Sequence, residues 1–343
     1  MQGEGNGHLT QSIALGEILE SNGHEIISVF RGKSLFKKNS TNTSNSFFSP
    51  SFISSKNKRG INLFITFIIN AICIPLYIYE SIRLAIIIRK LKPDAVINFY
   101  DLIGGISFML ISSSIRKYVI SHHFFFEHPD FKWPEDRKFE KSLLLFHSWI
   151  TSFAADKKLA LSFNFALNIQ EKKLFIIPPL LRKKILNAIP VNSGHIHIYT
   201  LDHGYVDEIQ EWCRQNPGFQ VNMFSNFIDI PNTDQSNLRL FSFNEEANID
   251  SLKSCSRVIC TSGFETPAEA IFLNKPVEVF PMDHHFEQYC NALDLERSGF
   301  GKRTKKLISN DKLFSVNEVE NGIYWQWVKD ADKLVLSHLC PQY

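Results

Sequence analysis

The chain has few of the features that tie a protein to metal, secretion or nucleic acid. Its six cysteines, Cys73, Cys213, Cys255, Cys260, Cys290 and Cys340, form no CxxC pair and show no metal-ligand spacing. Isolated reduced thiols are therefore expected, and no zinc site. The formal net charge is only +2 over 343 residues, which is not the electrostatic footprint of a dedicated nucleic-acid binder. No signal-peptide pattern opens the sequence, so the sequons at Asn39 and Asn42 are expected to be plain loop residues. A long uninterrupted apolar run is also missing. The strongest candidate, Ile61 to Tyr79, is near the minimum length for crossing a bilayer but is broken by Asn62, Asn70 and Pro75. A buried or interface-seeking helix pair is the favoured expectation there.

What is present is length and alternation. With 343 residues, 44% of them apolar, the chain can bury two separate cores. A Gly-rich turn at residues 3–8 runs into an amphipathic helix that Gly23 stops. Only Met1 and Gln2 precede that turn, so the strand expected to feed it is missing from the expected sheet. A strand follows from His24 to Phe30, then a long loop over 33–58 and an apolar helical region over 61–92 that ends in Arg83, Arg89, Lys90 and Lys92. Further strands are expected up to Asp101, over Lys117–Ser121, over Trp149–Ala154 and over Leu174–Ile177, with helices Ile103–Ser114 and Glu135–Phe146 between them. His122, His123, Glu127 and His128 cluster after the second of these strands, but without metal-ligand spacing they read as a polar loop at a cleft edge.

Pro178-Pro179 reads as a rigid linker. Beyond it the alternation resumes, with strands at His195–Leu201, Phe219–Phe224, Leu238–Phe241 and Arg257–Thr261 and helices at Tyr205–Gln215 and Ile249–Cys255. Strands and helices in this rhythm make a parallel α/β sheet. The expected organisation is a domain over 1–180, a second over 181–316, and a terminal helix over 317–343 packing back on the first. Two such halves would leave a cleft at the C-terminal edges of the strands.

The most informative stretch is Cys260 to Ala292. It reads as a strand end, a turn with Gly263, a helix opening at Thr266-Pro267, a strand over Val277–Phe280 and a polar loop into another helix. A helix N-terminus directly after a strand offers unpaired N–H groups and a positive dipole end, which suits a phosphate.

GEGNGHLTQ at residues 3–11, taken with SGFETPAEAIFLNKPVEVFP and FEQYCNA in that later stretch, resembles the GT-B nucleotide-sugar glycosyltransferases. The likeness is in particular to the family that includes the peptidoglycan lipid-linked N-acetylglucosaminyltransferase, glycosyltransferase family 28-like. The resemblance implies two Rossmann-like domains facing a cleft, the second of which binds a nucleotide sugar, usually the UDP form. It implies that Glu269 holds the ribose hydroxyls, that Ser262, Gly263 and Thr266 lie against the diphosphate, and that Phe243 packs by the base. Glu287 and Gln288 would face the donor sugar, with Asn291 supporting their loop. Gly5, Gly7 and His122 would stand on the acceptor side. Glu265 is a departure, because a carboxylate beside a diphosphate is repulsive unless it points away.

The reaction implied is inverting transfer of a hexosyl or N-acetylhexosaminyl group to an acceptor hydroxyl. His8 is the expected base and Asp101 the reserve. The helix N-terminus would stabilise the leaving diphosphate without a metal, so no cofactor is expected beyond the nucleotide-sugar co-substrate. The acceptors implied are sugars, including lipid-linked and cell-envelope glycans, met by a cytoplasmic protein peripheral to the inner face of a bacterial membrane. The alternatives are a UDP-sugar 2-epimerase, which shares the fold, and a non-catalytic GT-B module that binds a partner transferase.

Overall fold

Short apolar runs such as Leu174–Ile177 and Val277–Phe280 can be hidden only in a sheet covered on both faces, and the computed structural model places every one of their residues in the interior. It describes residues 7–35, 45–226, 230, 233, 235–305, 307 and 318–340. The chain divides into two compact units, one of residues 1–53, 62–182 and 329–343, the other of residues 54–61 and 183–328.

The first unit begins with α1 (Gly7–Ser21), followed by the short strands β1 (Arg31–Lys33) and β2 (Ser46–Phe48), which pair in parallel. Next come α2 (Leu63–Ile72), α3 (Ile74–Leu91), β3 (Ala95–Asn98), α4 (Leu102–Phe108), β4 (Arg116–Ser121), α5 (Lys138–Ser152), β5 (Lys157–Leu161) and β6 (Leu174–Ile177). The last four strands form one parallel sheet in the order β3-β4-β5-β6. Val119, Ile120, Leu159, Leu161, Leu174 and Ile177 fill its centre, and a fully buried side chain of this kind contributes about 1.5–3 kcal/mol.

The second unit holds α6 (Lys183–Leu186), β7 (Ile196–Tyr199), α7 (Val206–Gln215), β8 (Val221–Ser225), β9 (Leu238–Ser242), α8 (Glu245–Ser254), β10 (Arg257–Thr261), α9 (Glu265–Phe272), β11 (Val277–Phe280), α10 (Phe286–Arg297), β12 (Lys302–Arg303) and α11 (Glu318–Lys329). Its sheet is six-stranded and parallel, ordered β12-β11-β10-β7-β8-β9. α12 (Ala331–Leu339) belongs to the first unit, where the Leu339 carbonyl accepts from Tyr118 Oη at 3.1 Å and the His338 carbonyl from Lys157 Nζ at 2.8 Å.

Several expectations are corrected. His24–Phe30 alternates in exposure but forms no ladder among the described residues; the strand is β1, further on. Part of the expected 33–58 loop is β2, while residues 36–44 fall outside the described residues. Trp149–Ser152 is the last turn of α5 rather than a strand, and the strand is β5. The terminal helix is two helices, and α11 stays with the second unit, where Tyr324 Oη donates to the Ala268 carbonyl at 3.1 Å and Trp325 stacks on Phe272.

Residues 54–61 also join the second unit, against the expected boundary. Ile61 N–H donates to the Asp283 carbonyl at 3.1 Å, and the Arg59 carbonyl accepts from Asp283 N–H at 3.1 Å and Tyr205 Oη at 2.8 Å. A Cβ at Gly60 would lie 2.2 Å from the Asp283 carbonyl oxygen, so this approach admits only glycine.

One buried group couples the second unit to pH. His197 is fully buried in β7, its Nδ1 3.0 Å from Ser251 Oγ, and burial, with a smaller contribution from His195, pushes its pKa down from 6.5 to about 3. A folded-state value below the unfolded one makes stability full above about pH 6.5 and progressively lost toward pH 3, because only the unfolded chain takes up the proton. At pH 5 this group alone is expected to lower the unfolding free energy by about 2 kcal/mol relative to pH 7.5. Urea unfolding of wild type and His197→Asn at both pH values checks this: the wild type should lose that much more than the variant on acidification.

Candidate functional site

In the second unit the polar groups gather at the C-terminal strand ends. Thr200 follows β7, Ser225 closes β8 and Ser262 follows β10, three neighbouring strands. Their hydroxyls are buried beneath this edge with no hydrogen-bond partner among the described residues. From Ser262 the chain turns through Gly263 into α9, whose first residue is Glu265 and which has no side-chain cap. A Cβ added at Gly263 would meet nothing within 4 Å. The first turn of α9 thus presents its N-terminal backbone beside open space, the electrostatic situation that favours an anion.

α10 braces this turn. Asn291 Nδ2 donates to the Ser262 carbonyl at 3.1 Å, and Asn291 is 2% exposed. Gln288 is equally interior, and its side-chain carbonyl accepts from Met282 N–H at 3.0 Å. That oxygen is committed to holding the β11–α10 loop, a different task from the expected contact with a sugar. His285 caps α10, and Glu287, in its first turn, is half-buried. Phe243 lies half-buried just after β9, edge-on to Tyr199 with ring centroids 5.7 Å apart.

The two acidic residues of α9 lie inward. Glu265 and Glu269 are 7% and 3% exposed. Both are close enough to the buried Tyr324 that their charges add to burial in raising its phenol pKa well above the ordinary value. Thr266, between them, is half-buried.

In the first unit, chemistry collects around four rings. Tyr100 and His123 stack at 3.8 Å between centroids, His8 stacks on His123 at 5.8 Å, and His147 of α5 tilts against Tyr100 at 4.8 Å. His8, in the first turn of α1, has Nδ1 3.3 Å from Gln11 Oε1 and is half-buried. His123 Nδ1 lies 2.7 Å from Ser121 Oγ. Tyr100 sits at φ 54°, a left-handed conformation that a bulky residue adopts only when its surroundings impose it, and its hydroxyl is 2.8 Å from Ser148 Oγ.

Two expected residues have other work. Asp101 is fully buried, and its carboxylate caps α4 through Gly104 N–H at 3.0 Å and accepts from Ser49 Oγ at 2.7 Å. It is a buried helix cap. His122 is also interior, its Nδ1 2.7 Å from the Leu161 carbonyl among Phe125, Phe126 and Phe163. Its neighbour His123 occupies the ring stack. Gly7 opens α1, and Gly5 lies outside the described residues. Among the described residues no three His, Cys, Asp or Glu side chains are grouped to hold a metal.

The profile of the family described as glycosyl transferase family 1 matches residues 1–316. The chain belongs to that family. This glycosyltransferase is 26% identical over 327 residues to an uncharacterized glycosyltransferase of Methanosarcina acetivorans, spanning 88% of this chain and 83% of the relative. A second uncharacterized glycosyltransferase, from Methanosarcina mazei, is 24% identical over 322 residues. The narrower likeness to the peptidoglycan transferase family is not what the profile matches, and these relatives are archaeal rather than bacterial.

Solved structures share the fold of this glycosyltransferase at low identity. The glycotransferase of kitacinnamycin superposes with a TM-score of 0.61 at 13% identity, over 97% of this chain and 96% of its own. The calicheamicin glycosyltransferase CalG4 gives 0.59 at 12% identity, over 99% and 98%. Phytolacca americana UGT2, solved with UDP-2fluoro-glucose and pterostilbene, gives 0.55 at 13%, over 98% and 92%. The fold is therefore GT-B, α/β with parallel sheets.

Tyr100, Thr200 and Ser225 are members of these two clusters that sequence reasoning passed over, and His123 was read only as part of a polar loop. His122 and His123 open a short 3-10 helix after β4, and its tight turn sets one ring among Phe125, Phe126 and Phe163 and the other on Tyr100. The caps and stacks separate by experiment. Asp101→Ala should lower stability by about 1–2 kcal/mol in chemical unfolding and leave the remaining folded protein with near-normal turnover. His123→Ala removes a buried stacked ring, so it should lower the unfolding midpoint and also reduce the turnover of the protein that remains folded at least about tenfold.

Proposed function

We propose that this glycosyltransferase moves a sugar from a UDP-sugar to an acceptor hydroxyl with inversion at the anomeric carbon, without a metal. The observation that carries the reading is the uncapped start of α9, bordered by the unpartnered Ser262 hydroxyl and the open space at Gly263. This arrangement suits the charge that develops on a departing diphosphate, because the N-terminal N–H groups and the helix dipole are already oriented. Ser262, Gly263 and Thr266 are assigned to the diphosphate, Glu269 to the ribose hydroxyls and Phe243 to the base. Glu287 is assigned to the donor sugar. Asn291 and Gln288 position the surrounding loops through the bonds described above.

His8 is the assigned base. A neutral imidazole can take the acceptor proton as the new bond forms. In the sequence of events, the acceptor oxygen bonds to the anomeric carbon, the bond to the diphosphate breaks, and the proton passes to His8. His123 and Tyr100 position the ring of His8 by stacking. The acceptor is read as a lipid-linked or envelope glycan, and the motivation is the apolar surface of the first unit.

UDP release with candidate acceptors tests the reading. His8→Ala should lower kcat by about a hundredfold or more with UDP affinity unchanged, and Glu269→Gln should weaken UDP about tenfold. A His8→Ala enzyme with full turnover contradicts the base assignment. Conversion of the UDP-sugar in the absence of acceptor, followed by NMR, would mark an epimerase instead.

A further inference from the structure

The first unit carries an apolar surface that its own core does not need. α3, α4 and α5 lie side by side on one face of the β3–β6 sheet. Right-handed crossovers put α4 and α5 on the same side, and Arg89 of α3 donates to the Leu110 carbonyl at the end of α4. α4 and α5 approach so closely that a Cβ at Gly105 would lie 2.5 Å from Thr151 Cα. The side of this layer away from the sheet is solvent-facing.

On α3 that side is a row at four-residue spacing, Ile74, Ile78, Ile82 and Ile86, each 45 to 52% exposed. On α5 it is Phe139, Leu143, Phe146 and Trp149, 48 to 72% exposed, and Phe153 just beyond stacks edge-on against Trp149. α2 meets α3 at a 60° bend and exposes Phe64 and Phe67 by 74% and 72%. Among the described residues no single helix is long and apolar enough to cross a membrane, and the bent α2–α3 pair reaches that length and apolarity only when its two helices are taken together.

Charge decides what covers this surface. Residues 62–92 hold Arg83, Arg89, Lys90 and Lys92 against one acidic residue, Glu80, which is buried and paired with Arg83 at 2.6 Å. Lys90 continues the isoleucine row by one more step of four and is exposed, as are Arg89 and Lys92. Exposed isoleucine and aromatic rows ending in lysine and arginine match a bilayer interface, apolar below and anionic at the headgroups. From α2, α3 and α5 a second copy of the chain would bring the same basic set and only two acidic residues, Glu80 and Glu140, each paired with an arginine of its own chain.

We propose that the outer face of α2, α3 and α5 docks on an anionic lipid surface, lying in the interface without spanning it. For its biological use the inference rests on the reading of the acceptor as lipid-linked. The binding test does not, because vesicles are offered without donor or acceptor.

The full chain is floated with vesicles of phosphatidylcholine alone and of phosphatidylcholine mixed with phosphatidylglycerol. The mixed vesicles should carry the protein, and the neutral ones should carry much less. Lys90→Glu/Lys92→Glu, Ile78→Ser/Ile82→Ser and Phe146→Ser/Trp149→Ser should each weaken binding about tenfold or more. All replace exposed side chains, so melting temperature and UDP affinity should stay as in wild type, which keeps a failure here separate from a failure of the transferase reading. Absence of the protein from both kinds of vesicle overturns the proposal, as does flotation that none of the variants weakens. A dimer in light scattering that these substitutions dissolve, without flotation, would assign the face to a second copy.

Discussion

Both larger sheets are parallel throughout, and a parallel sheet sends all its strand C-termini to one edge. Backbone and side-chain polar groups that cannot be hidden between covering helices collect there, and the loops that follow are free to vary without disturbing the core. In the second unit this constraint lines up Thr200, Ser225 and Ser262 and places the start of α9 beside them. In the first unit it brings Tyr100 and His123, from the ends of β3 and β4, into ring contact. The chemistry follows from where the strands end.

These edges are held in place by groups that do no chemistry. Asn291 fixes the turn before α9 through the Ser262 carbonyl, Gln288 fixes the loop before α10, and Asp101 caps α4 so that Tyr100 keeps its left-handed backbone. Each is buried and hydrogen-bonded, as interior polar side chains must be. Asn291, Gln288 and Asp101 are thus the polar residues of these stretches whose bonds shape the loops around the strand ends.

Much of the fold was legible because buried parallel strands read as apolar runs: LFII at β6, VEVF at β11 and RVIC at β10 needed only composition and flanking turns. β5, KKLAL, was hidden by its lysines, whose ammonium groups reach Glu127 and the His338 carbonyl while the strand itself stays inside. The end of α5 was mistaken for a strand because Trp149, Ile150 and Thr151 favour β structure in isolation, and a tertiary contact with α4 overrides that preference. The membership of residues 54–61 in the second unit was illegible, because its anchors, Tyr205 and Asp283, lie more than a hundred residues further along the chain. The α9 turn was found from the sequence, whereas the split between a His122 packed among phenylalanines and a His123 stacked on Tyr100 depends on the 3-10 turn that the pair opens after β4.

The central claim is that the turn before α9 receives the nucleotide. Gly263 tests it without disturbing anything else, since its backbone is not left-handed and a side chain there would enter open space. Calorimetric titration of UDP into the wild type and Gly263→Val should show saturable binding that the variant weakens at least about tenfold, with an unchanged melting temperature. Equal affinity in the two proteins would place the nucleotide elsewhere and contradict the account.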